Sequence, residues 1–587
     1  MPHFGASQTR RRLARVSDRN AEITALLTEL AELTSLDEGS TQSFRVRAYE
    51  NALHELELVR DDISTMSEKE LCAIEGVGKS TAKKIREYFD TGAISKLEKL
   101  REAYPAAFRE LTRIPGLGPK SLKKLRAELG VENLEDLRAA MAGQRIRELP
   151  GFGAKSEEKL AHALERIGLA GKDKRTPIAD ALPLAEELVA RLESMAEVER
   201  AQYCGSLRRF RETVADIDIV AVATDPAPVM QAFVDAPGVT VVLGHGETKS
   251  SVVARGIQID LRVIAPEQWG AAILYFTGSK AHNIGLRQRA IERSWTLNEY
   301  GLTHADSGEV IAQRSEEEIY QALEMSWVRP PMREGTGEIA RADDDTLPRV
   351  PDADDLAGDL RVYAATDALL DEMVEAAAAR GARFIAFVDR HGEGWNEPRT
   401  AAQVLERAER LEALRAQAGE LTIFHAVELA IGEDGAVSCD DQLRSRVDFA
   451  IAAVESGFEL EAEAQTARIT AALGDPLVRV LARPTGRIIG TRDPMRWDAD
   501  AVLSAAVAAQ VAIEIGGELD RLDAPAELLR RAAELGARFA FGSGATVPEQ
   551  LSRATYAARL AQRGWVDREA VINCQPAARV GTWLRRR

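Results

Sequence analysis

The sequence predicts a multidomain chain with α-helical N-terminal domains, a central α+β domain and a C-terminal α/β barrel-like domain. Three observations predict this architecture. Helical apolar spacing with three Gly-apolar-Gly turns occupies residues 19–175, alternating strands follow to residue 265, and Ala-rich helices alternate with short apolar strands from residue 356. The 587 residues are enough for several domains.

Composition sets the predicted boundaries. We expect residues 1–18 to form a flexible basic tail, and the apolar spacing of 21–36 begins a helical domain whose second helix starts at Phe44. Residues 333–355 are rich in Gly, Asp, Arg and Pro, which is typical of a linker. The predicted segments are 1–18, 19–100, 101–175, 176–265, 266–332, 333–355 and 356–587, and the strand candidates after the linker are 384–388, 449–454, 478–481, 512–515 and 539–541.

Three turns share the form Gly-apolar-Gly, at Gly76–Gly78, Gly116–Gly118 and Gly151–Gly153. Each lies between helical stretches and is followed by basic or hydroxyl residues, so the repeat resembles the helix-hairpin-helix motif. In that motif, N–H groups at a helix start bind a DNA phosphate without reading sequence. The alternative is a helix cap with a tight turn. The predicted DNA-binding residues of the repeat are Gly76, Gly78, Lys79, Gly116, Gly118 and Lys120.

The third turn differs from the other two in its charges. It continues into Glu157 and Glu158, whose carboxylates would repel a phosphate. We therefore expect the third turn to be mainly structural.

The central domain holds candidate phosphate and metal ligands. The turn 205–209, Gly-Ser-Leu-Arg-Arg, is followed by Asp216 and Asp218 in a strand. Residues i and i+2 of a strand point the same way, so these carboxylates converge. Asp260, in an alternating strand downstream, is a third candidate. Three carboxylates beside such a turn suit two-metal phosphoryl or nucleotidyl transfer, although an Asp-x-Asp strand can also be an exposed face or an edge-strand device.

A second block carries a family resemblance. Residues 275–283 read Tyr-Phe-Thr-Gly-Ser-Lys-Ala-His-Asn, and residues 296–302 read Thr-Leu-Asn-Glu-Tyr-Gly-Leu. Together with the turn and the Asp-x-Asp pair, they resemble the X family of DNA polymerases, the beta-like repair polymerases with a nucleotidyltransferase palm. The resemblance covers roughly residues 20–335. It implies a DNA-directed DNA polymerase that fills short gaps, with the palm at 176–265 and a nucleotide-selection subdomain at 266–332.

The resemblance implies metal and phosphate ligands. Asp216 and Asp218 would bind two Mg²⁺ ions, with Mn²⁺ as an alternative, and Asp260 would bind the catalytic ion beside the primer 3′-hydroxyl. Ser206 and Arg209 would hold the phosphates of a deoxynucleoside triphosphate, and Arg208 would assist them. The implied nucleotide-binding residues are Gly205, Ser206, Arg209, Tyr275, Phe276, Gly278, Ser279 and Asn283.

The second block implies further contacts. Tyr275 and Phe276 would lie beside the sugar, where Tyr275 discourages a ribonucleotide, and Asn283 would contact the base edge. Arg287 would contact the template minor groove, and Lys249 a template phosphate. The alternative for these residues is ordinary packing or, for Lys249, solvation.

A lyase activity is also implied. Lys84 matches a family lysine that forms a Schiff base with the sugar left at an abasic site, and Tyr49 matches a supporting tyrosine. We expect Lys79 and Lys83 to lower the pKa of Lys84 by like-charge repulsion. Ser80 replaces a lysine that binds the 5′-phosphate in the animal enzyme. The alternative is a Lys-rich phosphate-binding face with no lyase chemistry.

The C-terminal part resembles a PHP domain, a barrel with a trinuclear metal site and 3′-exonuclease or phosphoesterase activity. The family motifs have metal-binding residues, or residues next to them, at three positions where this sequence has arginine: Arg361, Arg390 and Arg483. A guanidinium cannot be a metal ligand. After residue 355 the sequence contains only His391 and His425. We therefore expect a folded, metal-free domain with a structural or docking role, through which repair proteins would bind. The surviving Asp389 and Glu428 are expected to pair with those arginines.

Net charge, cysteine content and apolar runs limit the classes of protein that fit the sequence. The net charge is −17, but residues 1–175 carry 31 Lys and Arg against 28 Asp and Glu, so the acidic excess lies in the C-terminal part. Four scattered cysteines fit a reducing compartment. Residues 1–15 lack the apolar core of a secretory signal, and no apolar run is long enough to span a membrane. We expect a soluble cytoplasmic protein with no membrane partner.

The expected partners are gapped or nicked DNA and deoxynucleoside triphosphates, in base excision repair or end joining. Two other functions remain open: an untemplated nucleotidyltransferase, which shares the Gly-Ser and Asp-x-Asp core, and a non-catalytic DNA-end scaffold. The hairpin repeat and residues 275–283 favour the polymerase, and the three intact carboxylates argue against the scaffold.

Overall fold

A computed structural model of the protein describes residues 5–56, 62–114, 117–153, 157, 160 and 175–585. The chain divides into two compact units, Met1–Lys174 and Arg175–Arg587. In the described residues, no helix is both long and apolar enough to cross a membrane.

The first unit is helical. The first helix, Gly5–Glu38, packs against the helices Phe44–Leu56, Ser95–Ala103 and Pro119–Leu129. Its Leu27 and Leu30 belong to an apolar core that includes Ile85 and Leu125. The second helix begins at Phe44, as predicted. The helices are α1 (Gly5–Glu38), α2 (Phe44–Leu56), α3 (Glu68–Leu71), α4 (Lys79–Thr91), α5 (Ser95–Ala103), α6 (Ala106–Glu110), α7 (Pro119–Leu129) and α8 (Leu134–Ala142).

Helix α1 begins at Gly5, inside the segment 1–18 that the sequence predicts as a flexible basic tail, and the flexibility of that segment stays a prediction. Residues 6–15 contain Ala, Gln, Arg and Leu, which have high helix propensity.

The Gly-apolar-Gly turns precede helix starts. Gly76 has φ +77°, and a Cβ there would lie 3.0 Å from the carbonyl oxygen of Asn51. Gly78 and Gly118 are the extended residues before α4 and α7, and Lys79 and Lys120 are exposed. Gly116, the remaining predicted contact of the repeat, lies outside the described residues.

The third turn has a buried acid. Glu157 is 3% exposed, and its Oε2 accepts a hydrogen bond from Arg147 Nε at 2.5 Å. The carboxylate is therefore turned inward and already paired, which agrees with a structural role. Glu158 lies outside the described residues.

The second unit begins with a five-stranded sheet in the order β2-β4-β7-β6-β5, in which β4 and β7 run parallel and the other neighbours antiparallel. Strand β7 alternates: Ile259 and Leu261 are buried, while Asp260 and Arg262 are only partly buried. The elements are β1 (Thr176–Pro177), α9 (Ile178–Glu193), β2 (Val198–Tyr203), α10 (Gly205–Arg208), β3 (Thr213–Val214), β4 (Asp216–Ala223), α11 (Pro226–Val234), β5 (Val239–His245), β6 (Lys249–Ala254) and β7 (Ile257–Ile264).

A helical region with a small antiparallel sheet, ordered β10-β9-β8, follows the first sheet. Its apolar core contains Leu274, Leu286 and Tyr320. The elements are α12 (Trp269–Thr277), α13 (Lys280–Ile291), β8 (Trp295–Asn298), β9 (Gly301–His304), β10 (Val310–Ala312), α14 (Glu316–Ala322) and α15 (Glu338–Asp343).

The segment predicted as a linker, 333–355, is instead packed. Arg333 and Glu338 are fully buried. Arg333 Nη1 lies 2.6 Å from Glu316 Oε1, and Glu338 Oε1 lies 2.8 Å from His282 Nδ1. A polar composition predicted an exposed linker, but these charges are neutralised by partners that are distant in sequence.

The C-terminal part is a near-closed barrel, as predicted. Within 358–545, all of which the structure describes, seven parallel strands follow one another in sequence order, and a bridge from Val362 to Ala545 brings the last strand region to the first strand. The strands are β11 (Gly358–Val362), β12 (Phe384–His391), β13 (Thr422–Ala430), β14 (Phe449–Ala453), β15 (Val478–Ala482), β16 (Ala512–Gly516) and β17 (Phe539–Gly542). The helices are α16 (Asp367–Ala379), α17 (Ala401–Arg415), α18 (Asp441–Arg444), α19 (Ala462–Ala472), α20 (Ala499–Ala509), α21 (Ala526–Glu534), α22 (Ala554–Arg563) and α23 (Ala577–Leu584).

Strands β11 and β13 were absent from the predicted strands. Asp359 and Arg361 in β11, and Glu428 in β13, interrupt the apolar runs that mark a buried strand. All three side chains are nonetheless buried, because ion pairs and hydrogen bonds compensate their charges.

Candidate active site

The two parallel strands β4 and β7 align the candidate carboxylates. In their register Asp218 lies opposite Asp260, while Asp216 lies opposite Gln258. Asp216 and Asp218 are i and i+2 in one strand, so they share a face, and Ile217 between them is buried. The fold thus brings the three predicted acids to two neighbouring interior strands of the sheet.

Neighbouring polar groups orient Asp260. Its Oδ1 accepts hydrogen bonds from Ser251 Oγ at 2.7 Å and from Gln258 Nε2 at 3.1 Å. The amine of Lys249 lies 3.3 Å from Oδ2. These contacts hold one oxygen of Asp260 in place and leave Lys249 as its counter-ion.

The contact of Lys249 with a template phosphate stays a prediction, and in the structure its half-exposed amine lies beside Asp260. Strands β6 and β7 are antiparallel with Ser251 opposite Asp260, which makes Lys249 a diagonal neighbour of that carboxylate. A long side chain reaches such a diagonal neighbour.

The site is short of positive charge. Burial raises the pKa of Asp218 to about 7, and the carboxylates of Asp216 and Asp260 add to the rise against the opposing effect of Arg262 and Lys249. Within the described residues, no three His, Cys, Asp or Glu side chains already converge on one metal position. The carboxylates are thus aligned rather than clustered, and a divalent cation would relieve their repulsion.

The glycine turn lies directly on Asp218. Gly205 has φ +62°, and a Cβ there would lie 2.7 Å from Asp218 Oδ2. The backbone N–H of Cys204 donates to the carbonyl oxygen of Asp218 at 2.7 Å. Glycine is required here both for the backbone conformation and for the close approach.

The two arginines of the turn are held by carboxylates. Arg208 makes a two-pronged pair with Glu316, at 2.8 and 2.9 Å, and donates to Thr277 Oγ1 at 2.7 Å. Arg209 Nε lies 3.1 Å from Glu334 Oε1, and its Nη1 donates to the carbonyl oxygen of Thr277 at 2.5 Å. The protein thus restrains both guanidinium groups that were predicted to meet phosphates.

The second block forms an aromatic and cationic layer. The rings of Tyr275 and Phe276 meet edge to face, with centroids 5.1 Å apart. The guanidinium of Arg262 lies 4.6 Å from the centre of the Phe276 ring, and that of Arg287 lies 5.4 Å from the Tyr275 ring. Asn283 Nδ2 donates to the carbonyl oxygen of Tyr275 at 2.8 Å. These contacts fix the side chains predicted beside the nucleotide.

Gly278 and Ser279 shape the start of α13. Gly278 has φ +68°, and a Cβ there would lie 3.3 Å from Arg209 Nη1. The Ser279 hydroxyl accepts a hydrogen bond from the N–H of His282, so Ser279 caps the helix. His282 is buried between Glu338 and the Tyr320 hydroxyl, which lies 2.6 Å from its Nε2.

Lys84 in the first unit has a partly dry environment. Its amine donates to Ser80 Oγ at 2.8 Å and lies 5.5 Å from the centre of the Tyr49 ring. Burial lowers the pKa of Lys84 against the opposing charge of Glu87, and the charges of Arg45 and Lys96 lower it further. The expected cause, Lys79 and Lys83, is thus replaced by burial and two other cations, because Lys79 and Lys83 are exposed.

Arginines line the mouth of the barrel. Arg361 is 1% exposed and pairs with both Glu514 and Glu518. Arg483 Nη2 lies 2.9 Å from Glu428 Oε1 and 2.6 Å from Glu455 Oε1.

Two further pairs complete the mouth. Arg390 Nε lies 3.3 Å from Glu428 Oε2, so Glu428 pairs with two of the three arginines, as expected. Asp389 instead pairs with Arg399 at 2.8 Å and contacts His425 Nε2 at 2.9 Å. The expected partner of Asp389 was therefore wrong.

Sequence reasoning missed several residues of the site. Arg262 alternates with Asp260 in β7, and that spacing could have revealed it. Glu316 and Glu334 could not have been found, because they reach Arg208 and Arg209 from more than 100 positions away and belong to no local pattern.

Comparison with known protein families agrees with the fold and the site. Residues 18–94 match a helix-hairpin-helix domain, and residues 108–166 match a SAM-like helix-hairpin-helix tandem. Residues 272–334 match the DNA polymerase beta thumb. These matches define the class of protein as a DNA polymerase with helix-hairpin-helix domains.

Comparison with individual proteins identifies the family. The DNA polymerase/3'-5' exonuclease PolX of Bacillus subtilis (strain 168) is 33% identical over 552 residues, covering 92% of this chain and 95% of that protein. DNA polymerase lambda of Rattus norvegicus is 24% identical over 357 residues, covering 54% of this chain and 57% of that protein. The chain belongs to the bacterial X family of DNA polymerases.

Proposed function

We propose that this protein fills short gaps in DNA during repair, by template-directed transfer of a nucleotide to a primer 3′-hydroxyl, and that it acts in the cytoplasm. The observation that carries the proposal is the register of β4 and β7, which sets Asp218 beside Asp260 under the turn at Gly205. Carboxylates next to a tight glycine turn suit a substrate that carries both a hydroxyl to be activated and phosphates to be held.

The residues fit divalent cations, with Mg²⁺ as the physiological choice. Asp216 and Asp218 would hold two ions, and Asp260 would share the ion nearest the primer. When bound, such ions lower the pKa of the hydroxyl and neutralise charge on the attacking and leaving oxygens. The raised pKa of Asp218, caused by burial and by its acidic neighbours, supports this fit.

The protein's own side chains position the substrate. Ser206 and Arg209 would hold the triphosphate, which requires the guanidinium of Arg209 to exchange its contact with Glu334 for phosphate oxygens. Tyr275 and Phe276 would border the sugar, and Asn283 and Arg287 the bases. DNA would also be held by the exposed lysines and the backbone at Gly78 and Gly118, without sequence preference.

Primer extension tests this proposal. The substrate is a duplex with a one-nucleotide gap and a 5′-phosphate, with Mg²⁺ or Mn²⁺, and wild type is compared with Asp216→Ala. Asp235→Ala, an exposed acid of the same domain, is the matched control. We expect templated addition by wild type and the control, and none by Asp216→Ala. Addition that ignores the template would favour an untemplated transferase, and no addition with either metal would favour a scaffold.

We also propose that Lys84 confers 5′-deoxyribose phosphate lyase activity. The lowered pKa of its amine, caused mainly by burial, supports a nucleophilic role, because only the neutral amine can attack the sugar. Borohydride should trap a covalent adduct with an abasic substrate, and Lys84→Ala should abolish it while the control Lys83→Ala does not. An undiminished adduct with Lys84→Ala would reject the assignment.

We propose that the C-terminal barrel binds no catalytic metal and has no exonuclease activity. The arginine pairs of Glu428, Glu455, Glu514 and Glu518 support this, because each carboxylate already has a cationic partner. Metal analysis of the full-length Asp216→Ala variant should find no tightly bound Zn or Mn. Several bound equivalents would contradict the proposal.

A further inference from the structure

The helix α22 of the C-terminal barrel packs directly on the phosphate-binding turn. Arg559 Nη1 donates to the hydroxyl of Tyr203 at 2.9 Å, and its Nη2 donates to the carbonyl oxygen of Arg208 at 3.1 Å. The same guanidinium lies 4.7 Å from the centre of the Phe210 ring, on which Tyr556 also stacks at 6.1 Å. The end of the turn is therefore covered by one barrel helix.

The backbone at Phe210 needs this support. Phe210 has φ +58°, in the left-handed region that bulky residues rarely adopt, and its side chain is fully buried. Such a conformation persists only where its surroundings enforce it. Tyr556 and Arg559 supply that enforcement from the barrel.

A second arginine of α22 reaches the next residue of the turn. Arg563 Nη1 donates to the carbonyl oxygen of Arg209 at 3.2 Å and lies 2.7 Å from Glu334 Oε1. Its side chain is 7% exposed. Arg563 thus contacts both the backbone of Arg209 and the carboxylate that holds the side chain of Arg209.

Glu334 is shared by three guanidinium groups. Arg209 lies 3.1 Å, Arg563 2.7 Å and Arg211 3.4 Å from its oxygens. One carboxylate can neutralise only one of these cations, so Arg563 satisfies part of the charge of Glu334 and weakens its hold on Arg209. Arg209 then keeps a fixed position while retaining positive charge for another anion.

We propose that Arg559 and Arg563 are positioning residues of the polymerase site, contributed by the C-terminal barrel. Arg559 holds the strained turn in the conformation that binds phosphates. Arg563 divides the charge of Glu334 so that Arg209 is available to the triphosphate. The inference rests on the proposed function, and it gives the barrel a role in nucleotide binding that requires no metal.

Single-nucleotide gap filling with full-length Arg559→Gln and Arg563→Gln tests this role. Charge-assisted hydrogen bonds at the turn predict a rise of about tenfold in KM for the nucleotide, with KM for DNA unchanged. Inhibition by inorganic pyrophosphate, which carries phosphates but no base, should weaken by a similar factor. Arg563→Lys, which keeps the charge, should recover part of the loss. The matched control is Arg531→Gln, an exposed arginine on the neighbouring helix α21.

Two outcomes overturn the inference. One is wild-type nucleotide and pyrophosphate affinities in both glutamine variants at an unchanged melting temperature. The other is an equal loss in kcat, nucleotide affinity and DNA affinity, which is the signature of a merely misfolded fraction. Calorimetry of nucleotide binding with Mg²⁺ separates the two proposals. If the variants bind the nucleotide more weakly than wild type does, and wild type never extends a primer, the inference is retained and the polymerase function is rejected.

Discussion

Carboxylates on parallel strands occur in both the polymerase sheet and the barrel, but the charges of Asp218 and Glu428 are treated in opposite ways. At Asp218, burial and two neighbouring acids raise the pKa to about 7. At Glu428, burial also raises the pKa, but the charges of Arg483, Arg361 and Arg390 outweigh it, and the pKa is held below its usual value. A buried acid is a candidate metal ligand when the protein leaves its charge uncompensated, not because the acid is present.

This difference in charge compensation is the reason why the polymerase site is proposed to bind metal ions and the barrel is proposed not to. A guanidinium carries the positive charge that a metal would bring, and it is part of the chain. Under the proposal of a metal-free barrel, the buried arginines pair with the carboxylates that would otherwise be available to an ion. The four predictions below test this contrast, from the largest expected effect to the smallest.

Removing a carboxylate should matter only where no arginine compensates it. Asp218→Asn should lower gap-filling kcat by about 10³-fold or more, because several kcal/mol of charge stabilisation in the transition state would be lost. Glu428→Gln should leave kcat within about twofold of wild type, since its partners lie in the barrel. Steady-state extension assays measure both, and a comparable loss in the two variants would end the contrast.

Removing an arginine should lower the stability of the protein most where that arginine is buried in the barrel. Arg361→Met leaves Glu514 and Glu518 without their shared cation and should lower the stability of the barrel by about 3 to 5 kcal/mol. Thermal unfolding followed by tryptophan fluorescence should show the loss. Arg383→Met, whose partner Glu420 is exposed, is the control and should change little.

A compensated acid also lies beside the polymerase site, and acid titration can reveal it. Although burial opposes the change, Arg333 and Arg208 lower the pKa of Glu316 to about 2. A depressed pKa contributes stability above pH 4.5 that is lost as the pH falls toward 2, by roughly 3 kcal/mol.

Glu316→Gln removes that titration. Its unfolding midpoint should therefore vary less with pH between 4.5 and 2 than that of wild type. Parallel curves for the two proteins would mean that Glu316 is not compensated as its contacts indicate.

One methyl group added at Gly205 would disrupt the close approach of the turn to Asp218. Gly205→Ala places a Cβ 2.7 Å from Asp218 Oδ2 at a φ of +62°. Displacing the turn should raise KM for the nucleotide roughly tenfold or more, since about 1 to 3 kcal/mol of strain must be accommodated. Gly256→Ala, also at positive φ but with open space around it, is the matched control. Equal effects of the two substitutions would trace the loss to backbone strain alone.

Local patterns in the sequence predicted much of the fold and of the site. The barrel strands without charges, the helix at Phe44 and the alternating strand around Asp260 follow from apolar spacing. Apolar spacing did not predict three other features: the strands β11 and β13, the packed segment 333–355, and the helix from Gly5. Buried ion pairs and helix extension leave no apolar period in the sequence.

The sequence by itself determined which chemical groups are available: three acids on two strands, a glycine turn, and arginines where the barrel motifs expect other residues. These depend on residue type and short spacing, which a linear chain displays directly. Only the tertiary structure decided which acids have counter-ions, and that α22 covers the turn that begins at Gly205. Arg559 and Tyr203 are 356 positions apart. Electrostatic pairing depends on distance in space, and a chain sets that distance only when it folds.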